Sequence, residues 1–288
     1  AIFAVTAVSL FGSISPWLVL PVLVIVAFSA VIPLMTVVNY AFNDTFGNNE
    51  FFWNGIGWFK EVLESDRVHA ALGRQLLFSA IILAIEIPLG IFIALNMPKK
   101  GFWASVCLVL MALPLLIPWN VVGTIWQVFG RVDIGLLGHT LAALGVDYNY
   151  VNDPVDAWAT IIVMDVWHWT PLVTLTLIAA LLSLPADPFE QAQIDGANRR
   201  QIFWHITLPM IRPAILATVF IRMMDAMRTV DEVLMLTGGG PGSATRYVGV
   251  HIFKEVFPRT NYGYGSAISV VVLYLTIVVC WLMYVGLI

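Results

Sequence analysis

The sequence has little charge and little sulfur. Of its 288 residues only 11% are Asp, Glu, Lys or Arg, and only four are lysine. The net charge is -4 and no basic stripe is present, which argues against binding to nucleic acid. The only cysteines, Cys107 and Cys280, fall inside apolar segments, so we expect neither a disulfide framework nor a cysteine metal site.

Several motifs of enzyme chemistry are missing as well. No segment matches the Walker phosphate loop, Gly followed after four residues by Gly-Lys-Ser/Thr, so we do not expect the chain to bind ATP by that route. Nucleophile-elbow, zinc-protease and paired catalytic carboxylate patterns do not occur either. The sequence therefore predicts a non-catalytic chain without a bound cofactor or metal. The opening segment AIFAVTAVSLFGSISPW lacks a basic n-region, and we expect no cleavable signal peptide.

Apolar residues are abundant, at 60% of the chain, and the mean hydropathy is +0.88. A membrane-spanning helix needs about 20 mostly apolar residues. Six stretches meet this condition: 16–42, 72–96, 102–126, 157–181, 213–236 and 266–288. The predicted fold is an all-α polytopic membrane protein, a single domain over residues 1–288 with six transmembrane helices in membrane lipid.

Positive charge predicts the orientation of these helices. Two connecting segments, 97–102 and 182–212, hold positive residues at about twice the density of the other three, 43–70, 127–156 and 236–265. The residues concerned are Lys99, Lys100, Arg199, Arg200 and Arg212. The positive-inside rule places these two segments in the cytoplasm, and an even number of spans places both termini there too.

One connecting segment, residues 182–212, is unusually polar, and we call it the polar stretch. Its residues 190–209 read EQAQIDGANRRQIFWHITLP. Asp187 is predicted to cap a first short helix, with Pro188 in its first turn and Glu190 completing a capping box. Gly196 is predicted to end that helix in the left-handed conformation.

A second short helix is predicted after the first. It runs from Asn198 to about Thr207, and Pro209 and Pro213 are expected to end it before the next span. A rigid, exposed pair of helices on the cytoplasmic side is suited to docking another protein.

The polar stretch resembles the coupling loop of ABC importer permeases. The residues that carry the resemblance are Glu190, Ala192, Asp195, Gly196 and Ala197, followed by Phe203, Trp204, Ile206, Leu208 and Pro209. The segments LTGGGP (236–241), DIGLLG (133–138) and VWHWTP (166–171) are similar to signatures of the carbohydrate-uptake branch. The similarity runs from about residue 16 to the end of the chain. Two residues depart from it, Gln191 where Ala is usual and Gly138 where Asn is common.

The resemblance implies a half-channel of the bacterial inner membrane. Its coupling residues are expected to dock on a cytoplasmic ATPase dimer, which uses ATP and Mg: Glu190, Ala192, Asp195, Gly196, Ala197, Phe203, Leu208 and Pro209. A second, related permease completes the channel. A periplasmic binding protein is expected to dock on Gly238, Gly239, Gly240 and Pro241, although an ordinary solvated loop is the alternative there.

Charged residues inside the predicted fifth span need a reason, because each costs at least about 2.5–3.5 kcal/mol at membrane depth. Helical spacing predicts pairing of Arg222 with Asp225, and of Arg228 with Asp231 or Glu232. The pairs form either a hydrophilic translocation wall or a structural ladder between helices. The position of Asp225 near mid-span favours the wall.

The fourth and third predicted spans supply further candidates for the substrate path. Asp165, Trp167 and His168 combine hydrogen-bonding groups with the aromatic surface that sugars bind. An interfacial aromatic belt and a core histidine are the alternatives. Trp119 and Asn120 follow a bend expected at Pro114 and Pro118, and Asn120 either contacts substrate or joins two helices.

A single acid, Glu86, has no partner within its own predicted span, so we expect it to contact another helix. The predicted function is ATP-driven import of a sugar, glycoside or polyol, and Arg222 and Arg228 leave an anionic sugar derivative open. The alternative is an ion-coupled secondary carrier, which Asp165, Asp225 and bent helices would suit.

Overall fold

The computed structural model describes residues 16–46, 50–98 and 100–287. Lys99, the opening segment 1–15 and the last residue of the sixth predicted span lie outside the described residues. The described chain forms two compact units. One contains the residues up to Ser65 together with Lys254–Leu273, and the other contains Asp66–Phe253 together with the residues from Tyr274 onward.

The first unit contains a β-hairpin that the all-α prediction missed. Its elements are α1 (Pro16–Val26), a π-helical turn (Ala27–Val31), α2 (Ile32–Phe42), β1 (Asn43–Phe46), β2 (Glu50–Trp53) and α3 (Gly57–Glu64). The two strands are antiparallel, with Asn43 opposite Trp53. The aromatic segment EFFW of β2 has high strand propensity, which is the sequence signal for this hairpin.

Aromatic packing holds the hairpin of the first unit. The Phe42 ring lies 5.8 Å from the Trp53 ring and 5.1 Å from the Phe59 ring. Trp58 Nε1 donates to the Asn43 carbonyl at 3.1 Å. The hairpin is therefore fixed to the end of α2 and to α3.

The second unit consists of helices. These are α4 (Asp66–Asn96), α5 (Phe102–Ala112), a 3₁₀ turn (Pro114–Leu116), α6 (Trp119–Phe129), α7 (Leu136–Ala143), α8 (Pro154–Leu182), α9 (Asp187–Ile194), α10 (Arg199–Ile202), a π-helical turn (Phe203–Thr207), α11 (Leu208–Ala226) and α12 (Asp231–Leu236). Two more helices, α13 (Val248–Val256) and α14 (Tyr262–Leu287), include residues of both units.

Five stretches of the described chain are long and apolar enough to cross a membrane: Leu20–Phe42, Asp66–Asn96, Pro154–Leu182, Arg199–Ala226 and Tyr262–Val285. A sixth candidate is a bent pair, Phe102–Leu116 and Trp119–Phe129, whose halves meet at 96°. Pro114 and Pro118 flank the break, as the sequence indicated, because proline cannot continue the helical hydrogen bonds.

The prediction that the fifth span is one helix over residues 213–236 is wrong. The helix ends at Ala226, and α12 begins only at Asp231. Upstream, Pro209 and Pro213 do not end the second short helix, which runs through a π-helical turn into α11. In that turn the Leu208 amide donates to the Phe203 carbonyl, and the wider turn accommodates the proline ring at the next residue.

The core of the second unit lies where α4, α6, α8 and α12 meet. Its fully buried members include Phe78, Ile82, Val122, Ile161 and Val233. Glycines allow two close approaches of helices. A Cβ at Gly90 of α4 would lie 2.5 Å from Val173 of α8, and one at Gly123 of α6 would lie 2.5 Å from the Glu232 carbonyl. The helices therefore pack closely around the charged groups between them.

Candidate functional site

Charged side chains from three helices meet inside the second unit. Arg222 of α11 donates through Nε and Nη2 to both oxygens of Glu86 on α4, at 2.8 and 2.9 Å. Its Nη2 also donates to Asp165 of α8 at 2.8 Å, and its Nη1 donates to Asp225 at 3.0 Å. The side chains of Arg222 and Glu86 are 0% exposed. These four residues, with Arg228, are called the arginine cluster below.

Arg228 lies on the exposed side of the cluster. Its Nη2 donates to Asp225 Oδ1 at 3.1 Å, so Asp225 binds two arginines, and the Arg228 side chain is 70% exposed. The predicted pair Arg222–Asp225 is confirmed. The prediction that Arg228 pairs with Asp231 or Glu232 is wrong, because α11 ends before Arg228 and the helical spacing no longer applies.

Two tryptophans cover the arginines. The Arg222 guanidinium carbon lies 4.6 Å from the centre of the Trp169 ring, and that of Arg228 lies 5.7 Å from the Trp119 ring. The two tryptophan rings are 6.1 Å apart. Cation–π attraction is strongest away from water, so the inner pair gains more from it than the outer pair.

The sequence positions the inner charges on buried helix faces. On α4 the buried residues Gln75, Ser79, Ile82, Glu86 and Gly90 recur every three or four positions. Glu86 therefore faces the neighbouring helices, and its expected contact with another helix is confirmed by the bond to Arg222. Asp165 and Arg222 occupy equivalent buried positions on α8 and α11.

Sequence reasoning missed a second polar contact between helices. Gln75 Nε2 donates to the Ala226 carbonyl at 2.6 Å, where α11 ends. The bond satisfies one of the carbonyls that a helix end leaves without a partner. A glutamine on the same face as Glu86, separated from it by whole turns, is the signal that could have revealed this contact.

The candidate path residues lie in different surroundings. Trp119 and Asn120 line a shallow depression of about 330 Å³ with Asp231. The Trp167 ring packs 6.0 Å from Trp126. His168 is buried, its ring lies edge-on 5.1 Å from Trp169, and its Nδ1 lacks a hydrogen-bond partner among the described residues.

The described contacts therefore bring Trp119, Asp165, Asp225 and Arg228 into or against the arginine cluster. Asn120 follows Trp119 at its edge. Trp167 contacts a different part of the core, and His168 reaches the cluster through the Trp169 ring.

The polar stretch turns at Gly196 between two helices, as predicted, but the second helix is not short, because α10 continues through the π-helical turn into α11. α9 ends at Ile194, and Gly196 has a positive φ of 76°. The first cap was predicted wrongly, because Asp187 is the first residue of α9 and no side chain caps that helix. Ala186 takes the cap position, so Glu190 has no capping-box partner.

A capping box does exist in the polar stretch, one helix later. The Asn198 side chain accepts from the Gln201 amide at 2.9 Å, and the Gln201 side chain accepts from the Asn198 amide at 2.8 Å. An amide pair satisfies the same orphan donors as the usual hydroxyl and carboxylate pair. The turn at Gly196 is thus followed immediately by a fixed helix start.

Two large apolar side chains of the polar stretch are exposed. Ile194 is 85% exposed and Trp204 is 55% exposed. A groove of about 320 Å³ is lined by Leu95 of α4 and by residues of the polar stretch that include Phe189, Glu190 and Thr207. Large exposed apolar side chains on a capped, well-defined turn are typical of a protein–protein contact.

Internal hydrogen bonds hold the glycine-rich loop after α12 in place. Gly238 and Gly239 have positive φ values of 60° and 87°. The hydroxyls of Thr237 and Thr245 bond at 2.7 Å, and Thr245 donates to the Gly240 carbonyl at 2.7 Å. Pro241 follows in the same loop, which is therefore a defined turn.

A second ordered turn carries the DIGLLG segment. Arg131 donates to both oxygens of Asp133, at 2.9 and 2.7 Å, and this hydrogen bonding lowers the pKa of the Asp133 carboxyl. A Cβ at Gly135 would meet the Phe129 carbonyl at 2.3 Å, and one at Gly138 would meet Arg131 backbone atoms at 2.5 Å. Glycine at 138 is thus required by a close backbone approach.

The neighbouring loop 147–156 is tied to helix ends. Tyr150 donates to the Gln127 carbonyl at 2.7 Å, and the Tyr148 and Thr160 hydroxyls bond at 2.8 Å. Burial raises the pKa of both phenols, which stay neutral. Asp153 caps α8 through the amides of Val155 and Asp156.

Comparison with known proteins identifies the family. Residues 86–285 match the family described as binding-protein-dependent transport system inner membrane component. The trehalose/maltose transport system permease protein MalF of Thermococcus litoralis is 34% identical over 194 residues, 67% of this chain and 65% of the relative. The sulfoquinovosyl glycerol transport system permease protein SmoG of Agrobacterium fabrum is 32% identical over 201 residues, 68% of this chain and 63% of the relative.

A solved structure shares the fold. A bacterial ABC transporter involved in the import of the acidic polysaccharide alginate superposes with a TM-score of 0.80 at 20% identity, over 94% of this chain and 93% of that chain. The chain spans slightly less than two thirds of the length of the two relatives above. The family match covers most of the chain, and the chain contains several helices that are apolar enough to cross a membrane. The chain therefore belongs to the binding-protein-dependent transport system inner membrane components, the multi-pass permease subunits of ABC transporters.

Proposed function

We propose that this chain is one of two membrane-spanning subunits of an ABC importer that moves a sugar, glycoside or polyol into the cytoplasm. The observation that carries the proposal is the exposed polar stretch of a chain that belongs to this family. In this proposal the bent pair of helices counts as one span. The chain then has six spans, with both termini and the polar stretch in the cytoplasm of a bacterium.

The energy for transport comes from a partner in this proposal. Glu190, Ala192, Asp195, Gly196, Ala197, Phe203, Leu208 and Pro209 form the contact with a cytoplasmic ATPase dimer, which binds ATP and Mg. The exposed Ile194 and Trp204 side chains enlarge the apolar part of that contact. The turn at Gly196 and the capping box after it keep the contact rigid, so that movement of the ATPase is passed to α11 through the π-helical turn.

The substrate path runs along the arginine cluster in this proposal. Trp119, Asn120, Asp165, Trp167, His168, Asp225 and Arg228 are its candidate residues. Asp225 and Arg228 offer polar groups at the exposed edge of the cluster, beside the Trp119 ring that can pack against a sugar face. A second permease subunit supplies the opposite wall.

An uncharged polyhydroxy solute fits this wall better than an anion. Four of the five N–H groups of Arg222 already bind carboxylates, so Arg222 has little capacity for an anionic substrate. Arg228 is exposed but shares its charge with Asp225. Sulfonated and phosphorylated sugars should therefore compete only weakly with uncharged sugars for uptake, and they serve as test substrates.

A periplasmic binding protein is the proposed source of substrate. It docks on the turn of Gly238, Gly239, Gly240 and Pro241, whose internal hydroxyl bonds keep its backbone in a fixed shape. A fixed loop loses little conformational entropy on docking.

Uptake into proteoliposomes tests the proposed function. The chain is reconstituted with the second permease and the ATPase encoded beside it, and radiolabelled sugars and polyols are presented with the cognate binding protein. We expect uptake that requires ATP. Uptake driven by a proton or sodium gradient without ATP contradicts the proposal and favours a secondary carrier.

Two substitutions in the polar stretch sharpen the test. Gly196→Pro and Glu190→Lys should abolish ATP-driven uptake while membrane insertion is retained, because each alters the contact with the ATPase. Gly145→Pro changes another exposed turn glycine with positive φ, 79°, and is the matched control that should keep uptake. Normal uptake and ATPase co-purification in both polar-stretch variants contradict the docking part of the proposal.

A further inference from the structure

The buried part of the arginine cluster contains more acidic than basic groups. Arg222 supplies one positive charge to Glu86 and Asp165, whereas Asp225 is shared between Arg222 and Arg228. With every carboxyl ionised, the five residues would carry one net negative charge. The surplus would fall on Glu86 and Asp165, whose side chains are 0% and 4% exposed. Such a buried surplus is costly, and sites of this kind take up a proton instead.

The geometry of the two acids also points to a proton. Glu86 Oε1 and Asp165 Oδ2 accept from the same nitrogen, Nη2 of Arg222, at 2.9 and 2.8 Å. Because they share this donor, the two carboxyl groups lie next to each other. Ionised carboxylates only accept hydrogen bonds, so two of them in contact repel unless one holds a proton.

The other groups that face the pair do not compensate the surplus. Glu232 of α12 adds another carboxyl to the surroundings of Asp165, and Tyr247 adds a phenol. Arg228 lies on the exposed side of Asp225. His168, one turn along α8 from Asp165 and buried, is a further titratable neighbour, and its Nδ1 lacks a partner among the described residues.

We propose that Glu86 and Asp165 share one proton, as paired carboxyls in contact do elsewhere. The two acids then carry one negative charge together, and Arg222 balances it. Asp225 balances Arg228, so the arginine cluster is electrically neutral as a whole. The five residues of the cluster consequently present no net charge of their own to a solute, and Asp231 beside Trp119 is a separate, exposed acid. This inference concerns the folded chain and does not depend on the proposed transport reaction.

Infrared spectroscopy of the purified protein tests the shared proton. A protonated carboxyl group has a carbonyl stretching band separate from the bands of carboxylates and amides, and the band shifts in D₂O. We expect this band in the wild type at neutral pH. Glu86→Gln and Asp165→Asn should each remove it, because the acid that remains is ionised by Arg222. Glu232 is another buried carboxyl, outside the pair, that can hold a proton of its own. The wild type and both variants are therefore compared in a Glu232→Gln background, in which the band of the pair should remain and each amide variant should remove it.

Thermal unfolding gives a second readout. Each single amide variant keeps the charges balanced, so each should unfold within a few degrees of the wild type. The double variant leaves Arg222 with Asp225 alone and should unfold about 10 °C lower.

Three results would overturn the proposal. The band could be unchanged in both amide variants, or both variants could fail to fold. A wild type without the band, together with a destabilised His168→Gln, would place the proton on His168 instead.

Discussion

The arginine cluster and the polar stretch are both rich in polar groups, but they satisfy those groups differently. In the cluster the charged side chains bind one another across α4, α8 and α11. In the polar stretch the side-chain bonds are local, as in the capping box of Asn198 and Gln201. Its apolar side chains Ile194 and Trp204 face outward.

The difference indicates where each region finds its partners. Buried charges must be paired within the fold, so the cluster joins three helices and its loss should damage folding. Exposed apolar groups on a locally capped turn contribute little to the fold and are available to another protein. We therefore expect mutations that unbalance the charges of the cluster to reduce stability, and mutations in the polar stretch to reduce transport.

The largest effect is expected from Arg222→Met. The substitution leaves Glu86, Asp165 and part of Asp225 without their positive partner inside the protein, and it should lower the free energy of unfolding by about 3–5 kcal/mol. Denaturant unfolding in detergent measures this. Arg131→Met removes a surface pair with Asp133 and should change stability little. Equal stability of both variants would remove the distinction between buried and exposed pairs.

A smaller effect is expected where α4 passes α8. A methyl group at Gly90 would overlap Val173, so Gly90→Ala should cost about 1–3 kcal/mol by separating two helices that the cluster holds together. Gly73 lies on the same helix with nothing within 4 Å of its Cβ position. Gly73→Ala should therefore be neutral, or stabilising by up to about 1 kcal/mol. Thermal shifts of the two variants in the same direction would contradict this packing argument.

The smallest effect on global stability is expected from Asn198→Ala. Loss of this cap should cost about 1 kcal/mol, confined to α10 and the turn after it. Hydrogen exchange of the amides in residues 199–207 should rise about fivefold while the global unfolding midpoint stays the same. Asp153→Ala removes the cap of the 29-residue α8 and should lower that midpoint. A lower midpoint in Asn198→Ala would show that the polar stretch supports the fold after all.

Local features of the sequence predicted much of this architecture. Apolar length located four of the six predicted spans as single helices, the two prolines located the break before α6, and Gly196 located the turn of the polar stretch. The Arg222–Asp225 pair followed from helical spacing. These features depend on residues close together in the chain, for which spacing is sufficient information.

Features that depend on distant residues could not be predicted in this way. Glu86 and Arg222 are 136 residues apart, and nothing local shows that their helix faces meet. Arg228 was assigned the wrong partner because α11 ends at Ala226, where Gln75 of α4 binds the terminal carbonyl, and Arg228 bonds to Asp225 instead. The prediction that Pro209 ends a helix is wrong. The π-helical turn before it accommodates the proline ring, so the helix continues.

Cysteine labelling of Ile194 is the most direct test of the central claim, that the polar stretch is a cytoplasmic contact for an ATPase. Ile194→Cys is made with Cys107 and Cys280 replaced by alanine and is treated with a membrane-impermeant maleimide. The account predicts labelling in inside-out vesicles, no labelling in right-side-out vesicles, and protection when the ATPase subunit is present. Labelling from the periplasmic side, or labelling that the ATPase does not change, would contradict it.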